Sequence, residues 1–136
     1  MREFQVAILA CGSSFYEGPC LSLVVPTVDG LYGILAGHSN MISAVRPGPL
    51  YYTIPGQPRR MAAVSSGMLK VEGGQVLVLV ETAERPEDID VNRAIQAAAA
   101  AKEAVLQRRS MREYRTAQAS LARALNRLRV KSSAGQ

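Results

Sequence analysis

Apolar and polar residues alternate with the period of a strand from Phe4 to Val80 and with the period of a helix after Asp90. Phe4 to Leu9 and Cys20 to Val25 are alternating runs that end at turn formers, Gly12-Ser13-Ser14 and Pro26. Asp29-Gly30 and Gly73-Gly74 read as tight hairpin turns, because glycine supplies the positive φ such turns need. Ile42 to Arg46, Leu50 to Ile54, Arg60 to Val64 and Met68 to Val71 are further short strand runs. Val76 to Val80 is apolar on both faces, which places it in the middle of a packed structure. Many short strands at this spacing predict a sandwich or a flattened barrel.

The helical part reads as two helices folded back on each other. Asp90 caps the first, and Val91, Ala94, Ile95, Ala98, Ala101 or Lys102, and Val105 follow at the spacing of one face. Ser110-Met111-Arg112-Glu113 has the form of a capping box, so a break is expected near Arg108 to Ser110. The second helix carries an apolar stripe on Met111, Tyr114, Ala117, Leu121, Leu125 and Leu128. The predicted class is therefore α+β, mainly β, with a sandwich over residues 1–85 and an antiparallel helical hairpin over residues 86–136.

Charge sharpens this division. The chain of 136 residues carries a net charge of +5, and Met1 to Arg85 contributes none of it, having six basic and six acidic residues. Between Ala104 and Lys131 eight basic residues face a single acid, Glu113. At helical spacing Arg112, Arg115, Arg123 and Arg127 fall in one sector opposite the apolar stripe. Such a sector is either a solvated face or a surface for an acidic partner: nucleic acid, a membrane surface or an acidic protein helix. Only Tyr114 is available for base stacking on this helix, which weakens nucleic acid, and the small apolar residues weaken a membrane surface.

Catalytic chemistry finds no constellation in the sequence. There is no glycine-rich loop ending in Gly-Lys-Ser/Thr, no histidine pair and no nucleophile elbow. His38 is the only histidine, and the two cysteines, Cys11 and Cys20, read as ordinary reduced thiols in or near strands. No run of eighteen apolar residues is present, and Glu3, Gln5 and Glu17 interrupt the first twenty residues where a signal sequence would be apolar. The expectation is a soluble, non-catalytic chain that stays where it is made. A free-standing sandwich whose basic hairpin binds nucleic acid is the alternative.

Three segments and the last helix resemble a known family. They are Gly30-Leu31-Tyr32-Gly33-Ile34-Leu35-Ala36-Gly37-His38-Ser39, Val64-Ser65-Ser66-Gly67-Met68-Leu69-Lys70-Val71, Ala83-Glu84-Arg85-Pro86-Glu87-Asp88-Ile89-Asp90, and Ala117 to Leu128. In order and over nearly the whole chain, they are similar to the ε subunit of the F-type ATP synthase. The resemblance implies a sandwich of about ten strands followed by a helical hairpin. It also implies partners: the γ subunit, the ring of c subunits, and the β (and α) subunits, with residence at the cytoplasmic face of a bacterial cell membrane as a peripheral complex. The loops around Asp29, Leu31 and Tyr32, and from Gly37 to Asn40, are then expected to face the c ring, with His38 a contact residue.

In that family the hairpin is regulatory, permitting rotation when folded down and blocking ATP hydrolysis when extended beside γ. Arg108, Arg109, Arg112, Arg115 and Arg123 would then meet an acidic segment of the β subunits. Some bacterial members also bind ATP through a segment of form Ile/Leu-Asp-x-x-Arg-Ala, which Ile89-Asp90-Val91-Asn92-Arg93-Ala94 matches. The resemblance assigns Glu84, Asp90 and Arg93 to the nucleotide and Arg123 and Arg127 to its phosphates. No cofactor is required, and ATP enters only as a regulatory ligand. The same residues serve equally well as a helix cap and a surface ion pair. Ala100 stands where ATP-binding relatives carry a further basic residue, and Ala36 and Asn40 stand at or near positions that usually hold proline, which predicts a less rigid loop.

Overall fold

The computed structural model describes residues 2–107 and 111–134. The backbone divides into two compact units, Met1–Arg85 and Pro86–Gln136. The first holds ten strands: β1 (Phe4–Ala10), β2 (Ser13–Cys20), β3 (Ser22–Thr27), β4 (Gly30–Leu35), β5 (Met41–Val45), β6 (Gly48–Thr53), β7 (Arg60–Val64), β8 (Gly67–Glu72), β9 (Gln75–Val80) and β10 (Ala83–Glu84). They form one hydrogen-bonded sheet in the order β10-β7-β6-β3-β5-β8-β9-β1-β2, with β4 paired to β3.

Most strands turn alternate apolar residues inward. Phe4, Val6 and Ile8 of β1 join Leu23, Val25, Ile34, Leu50, Tyr52, Leu69, Val71, Val76, Val78 and Val80 in one buried cluster. Each of the larger aliphatic side chains contributes about 1.5–3 kcal/mol on burial. β9 lies between β8 and β1, as its apolar sequence predicts, although Leu79 on its outer face is partly exposed. Its pairing with β1 is parallel, Val6 opposite Val76 and Ile8 opposite Val78. This one parallel register joins the beginning of the unit to its ninth strand.

Three strand boundaries differ from expectation. The first turn is Cys11-Gly12, both at positive φ (41° and 83°), and Ser13 and Ser14 already belong to β2. β2 pairs only with β1, so as an edge strand it tolerates Gly18 and Pro19. Cys20 closes this strand, and the next begins at Ser22. Pro26 lies inside β3 and does not end it. Its carbonyl accepts the Arg46 N–H on the side where pairing with β6 has already stopped at Val24, so the missing proline N–H leaves no ladder partner unpaired. A Cβ at Gly48 would fall 2.6 Å from that of Pro26, so this close approach requires glycine at the start of β6.

Both cysteines are free thiols. Cys20 is buried, its Sγ donates to the Ser22 carbonyl at 3.0 Å, and burial pushes the thiol pKa up. Cys11 is exposed in the first turn, outside any strand.

The second unit begins with a 3-10 turn (Pro86–Asp88), followed by helices α1 (Val91–Gln107) and α2 (Met111–Ala134), which pack along each other. Among the described residues its buried helical positions are mostly small, Ala94 and Ala101 on α1 and Ala117 and Ala124 on α2, joined by Asn126 and Val130. Ile95 and Leu125, expected in the apolar stripes, are 51% and 46% exposed, and Val91 is also exposed. The alanines seven residues apart define each buried face, and Ile95 and Leu125 lie roughly 90° around the helix from its centre. The expected capping box falls outside the described residues at Ser110. Among the described residues, no helix is long and apolar enough to cross a membrane.

Candidate functional site

The residues from Glu84 to Ala94 join the two units in sequence, and local chemistry fixes each in turn. Glu84 is half-buried on β10, opposite Ala63 of β7. Arg85 places its guanidinium over the Phe15 ring at 5.5 Å, a favourable cation–π distance. Pro86 starts the 3-10 turn, where its fixed φ is suited and its missing N–H is not needed.

The next six residues are the expected nucleotide motif, and their roles separate. Ile89 and Ala94 are buried. Asp90 is the helix cap: its Oδ1 accepts the Arg93 N–H at 3.1 Å, and its carbonyl accepts the Ala94 N–H at 2.9 Å. Asp90, Val91, Asn92 and Arg93 are exposed, and Arg93 is the basic side chain this motif presents to solvent. A carboxylate already holding an N-cap amide is oriented along the first turn of α1 and retains a second oxygen for another donor.

On α2 the arginines divide. Arg115 is exposed, whereas Arg123 and Arg127 are half-buried, and Arg123 Nη2 donates to Ser120 Oγ at 3.1 Å. Asn126 and Val130, which fall within the sector expected to be solvated, are buried. Over the C-terminal half of α2, burial therefore extends into the basic sector. Arg108 and Arg109 lie outside the described residues, as does the side chain of Arg112. Ala100 is exposed on α1.

The other expected contact region is the β3–β4 hairpin. Asp29 is exposed, and Val28, Leu31 and Leu35 are 62%, 57% and 59% exposed. Val28 and Leu35 extend the expected pair Asp29 and Leu31 into an exposed apolar strip, while Tyr32 lies on the opposite face of β4 from Leu31 and Leu35. Of the strand Gly-Leu-Tyr-Gly-Ile-Leu only Ile34 is buried.

His38 is held by both ring nitrogens. Nδ1 lies 2.7 Å from the Ser39 carbonyl and so carries the proton, leaving Nε2 to accept from the Tyr32 hydroxyl at 3.0 Å. The two rings meet edge-on with centroids 5.6 Å apart. Asn40 Oδ1 accepts the Gly73 N–H at 3.1 Å and ties the expected mobile loop to the β8–β9 turn. Among the described residues, no group of His, Cys, Asp or Glu is arranged to hold a metal ion.

These features define a class: a two-part chain in which a β-sandwich presenting an apolar strip precedes a basic helical hairpin. Residues 3–86 match the β-sandwich domain of the ATP synthase delta/epsilon chain, and residues 87–132 match its long alpha-helix domain. The chain belongs to the ATP synthase delta/epsilon chain family. The ATP synthase epsilon chain of Nitrosospira multiformis is 37% identical over 128 residues, covering 94% of this chain and 92% of the relative. That of Ruminiclostridium cellulolyticum is 36% identical over 128 residues, covering 94% and 95%.

Among solved structures, a chain of the Euglena gracilis mitochondrial ATP synthase, in an assembly with the c-ring, superposes with a TM-score of 0.81 at 19% identity. The match covers 98% of this chain and 82% of that one. A chain from the central stalk and c-ring of the Tetrahymena thermophila mitochondrial enzyme gives a TM-score of 0.62 at 10% identity, covering 99% and 98%. These two share the fold. A match running in order through both units favours a subunit of this family over a free-standing nucleic-acid module.

Proposed function

We propose that the chain is a non-catalytic central-stalk subunit of a bacterial ATP synthase, its sandwich joining the γ subunit to the ring of c subunits and its hairpin restraining ATP hydrolysis. The observation that carries this reading is the unbroken match of both units, in order, to full-length bacterial epsilon chains. The sandwich suits an adaptor that transmits torque, because its buried cluster draws on nine of its ten strands. Asp29, Leu31 and His38 are the contact residues toward the ring, with the exposed Val28 and Leu35 supplying apolar area beside them. The complex sits at the cytoplasmic face of the cell membrane as a peripheral assembly.

In the hairpin, Arg108, Arg109, Arg112, Arg115 and Arg123 face the acidic surface of the β and α subunits when α2 extends. ATP is the regulatory ligand of the folded-down state. Arg93 is the exposed guanidinium for it, and Ile89 and Asp90 set the helix start that presents Arg93. Arg123 and Arg127 meet the phosphates, and Glu84 completes the set from β10. A planar, bidentate guanidinium is the side chain best matched to a polyphosphate.

Calorimetric titration of the purified chain with ATP tests the ligand, with Arg93→Ala as the control. Saturable binding that is lost or weakened about tenfold or more in Arg93→Ala is expected, the loss of one charge-assisted contact. No heat at millimolar ATP would remove ATP from the account and leave Asp90 as a helix cap alone.

A further inference from the structure

The last turn of α2 returns to the first residue of its own unit. Lys131 Nζ donates to the Pro86 carbonyl at 3.1 Å, across 45 residues of sequence, and the lysine is half-buried there. That same carbonyl accepts the Ile89 N–H at 3.3 Å, the bond that closes the 3-10 turn. Asp90 follows directly and caps α1 through Arg93 N–H. One carbonyl oxygen therefore connects the start of α1 with the end of α2.

We infer that Lys131 is a latch: its ammonium holds the C-terminal turns of α2 on the linker turn, and α2 leaves the linker only after this contact opens. Three features favour a latch over an incidental surface contact. The ammonium group is partly withdrawn from water, where a charge-assisted hydrogen bond is stronger than at an exposed site. Its acceptor is a main-chain atom of a proline-initiated turn, so the acceptor is fixed in place by the backbone and not by a mobile side chain. The ends it joins are also held by little else: among the described residues the buried side chains of the two helices are four alanines, Asn126 and Val130, of which only Val130, next to the latch in sequence, offers a sizeable apolar area. Since the turn, the buried Ile89 and the Asp90 cap are contiguous, opening the latch also loosens the entry to α1, where the proposed nucleotide contact Arg93 stands. The regulatory consequence rests on the reading of the hairpin as a mobile element; the latch itself is a property of the isolated chain.

Amide hydrogen exchange of the full chain separates the two. Lys131→Met keeps the aliphatic stem and removes the donor, whereas Lys131→Arg keeps a cationic donor. In Lys131→Met, exchange at Ile89, at the capped amides of Arg93 and Ala94 and at residues 127–131 is expected to accelerate roughly fivefold or more, with residues 95–103 and the strands of the sandwich unchanged and Lys131→Arg close to the parent. Unchanged exchange at Ile89 in Lys131→Met would overturn the latch, and so would a uniform acceleration along the whole of α2, which would report helix stability alone. Faster local exchange with no change in ATP hydrolysis by the assembled enzyme would support the latch while contradicting the mobile-hairpin reading.

Discussion

The two units of this chain are held together by different means. In the sandwich, Ile8, Leu23, Ile34, Leu50 and Leu69 are essentially without solvent exposure and sit in a cluster drawn from many strands. In the helical unit the buried side chains are mostly alanines, with Ile89 and Val130 as the larger ones, while Ile95 and Leu125 stay exposed. Buried area scales with side-chain size, so each sandwich position contributes several times more than a hairpin alanine. On the proposed reading, a domain that keeps its shape under load and one that changes its packing call for these two kinds of interior.

Substitution in the sandwich core should widen the contrast most. Leu23→Ala removes a fully buried side chain and is expected to cost about 2–5 kcal/mol, read as a lower denaturant midpoint of the strand signal. The same melt followed through the helical signal tells whether the two units unfold together, and separate midpoints are expected. Asp90→Ala removes the N-cap of α1 and should cost about 1 kcal/mol, confined to the helical transition. A cost spread equally over both transitions would break the contrast.

Charge acts more weakly than either. Neutralising Arg112 and Arg115 together is expected to raise ATP hydrolysis by the assembled enzyme roughly twofold to fivefold, since exposed pairs contribute about 0–1 kcal/mol each. Arg123 should matter less than its place in the basic sector implies, because it is half-buried and already bonded to Ser120. The smallest effect is alkaline. Burial holds the Cys20 thiol above its ordinary range, so the folded chain keeps a proton that the unfolded chain releases. The associated stability is complete below the unfolded value of about 8.5 and is lost as pH rises through the raised folded value. The slope of the midpoint against pH above that range should flatten in Cys20→Ala, and an unchanged slope would assign it elsewhere, for example to Tyr16, whose pKa burial and the neighbouring Cys20 also raise.

Much of the fold was legible because its signals are local. Gly73-Gly74 makes the β8–β9 turn at positive φ, Asp90 caps α1 at its own amides, and the period of the apolar residues changes where the second unit begins. What stayed hidden depends on distant partners. Ser13 to Cys20 resembles a loop in isolation and becomes a strand only because β1 offers its edge, and Pro26 is admitted into β3 only where β6 has ended. The parallel pairing of β1 with β9 has no local signal at all. At the candidate sites the sequence named Asp90, Arg93 and His38, but not what holds them. The Tyr32–His38 bond and the return of Lys131 to Pro86 are properties of the folded chain.

The central claim is that the sandwich carries assembly and the hairpin carries control of ATP hydrolysis. Its most direct test is the ATP hydrolysis rate of the enzyme reassembled with the full chain or with residues 1–85 alone, checking incorporation in both cases. The account predicts equal incorporation with a faster rate for the shortened chain. Equal rates with both chains incorporated would contradict it.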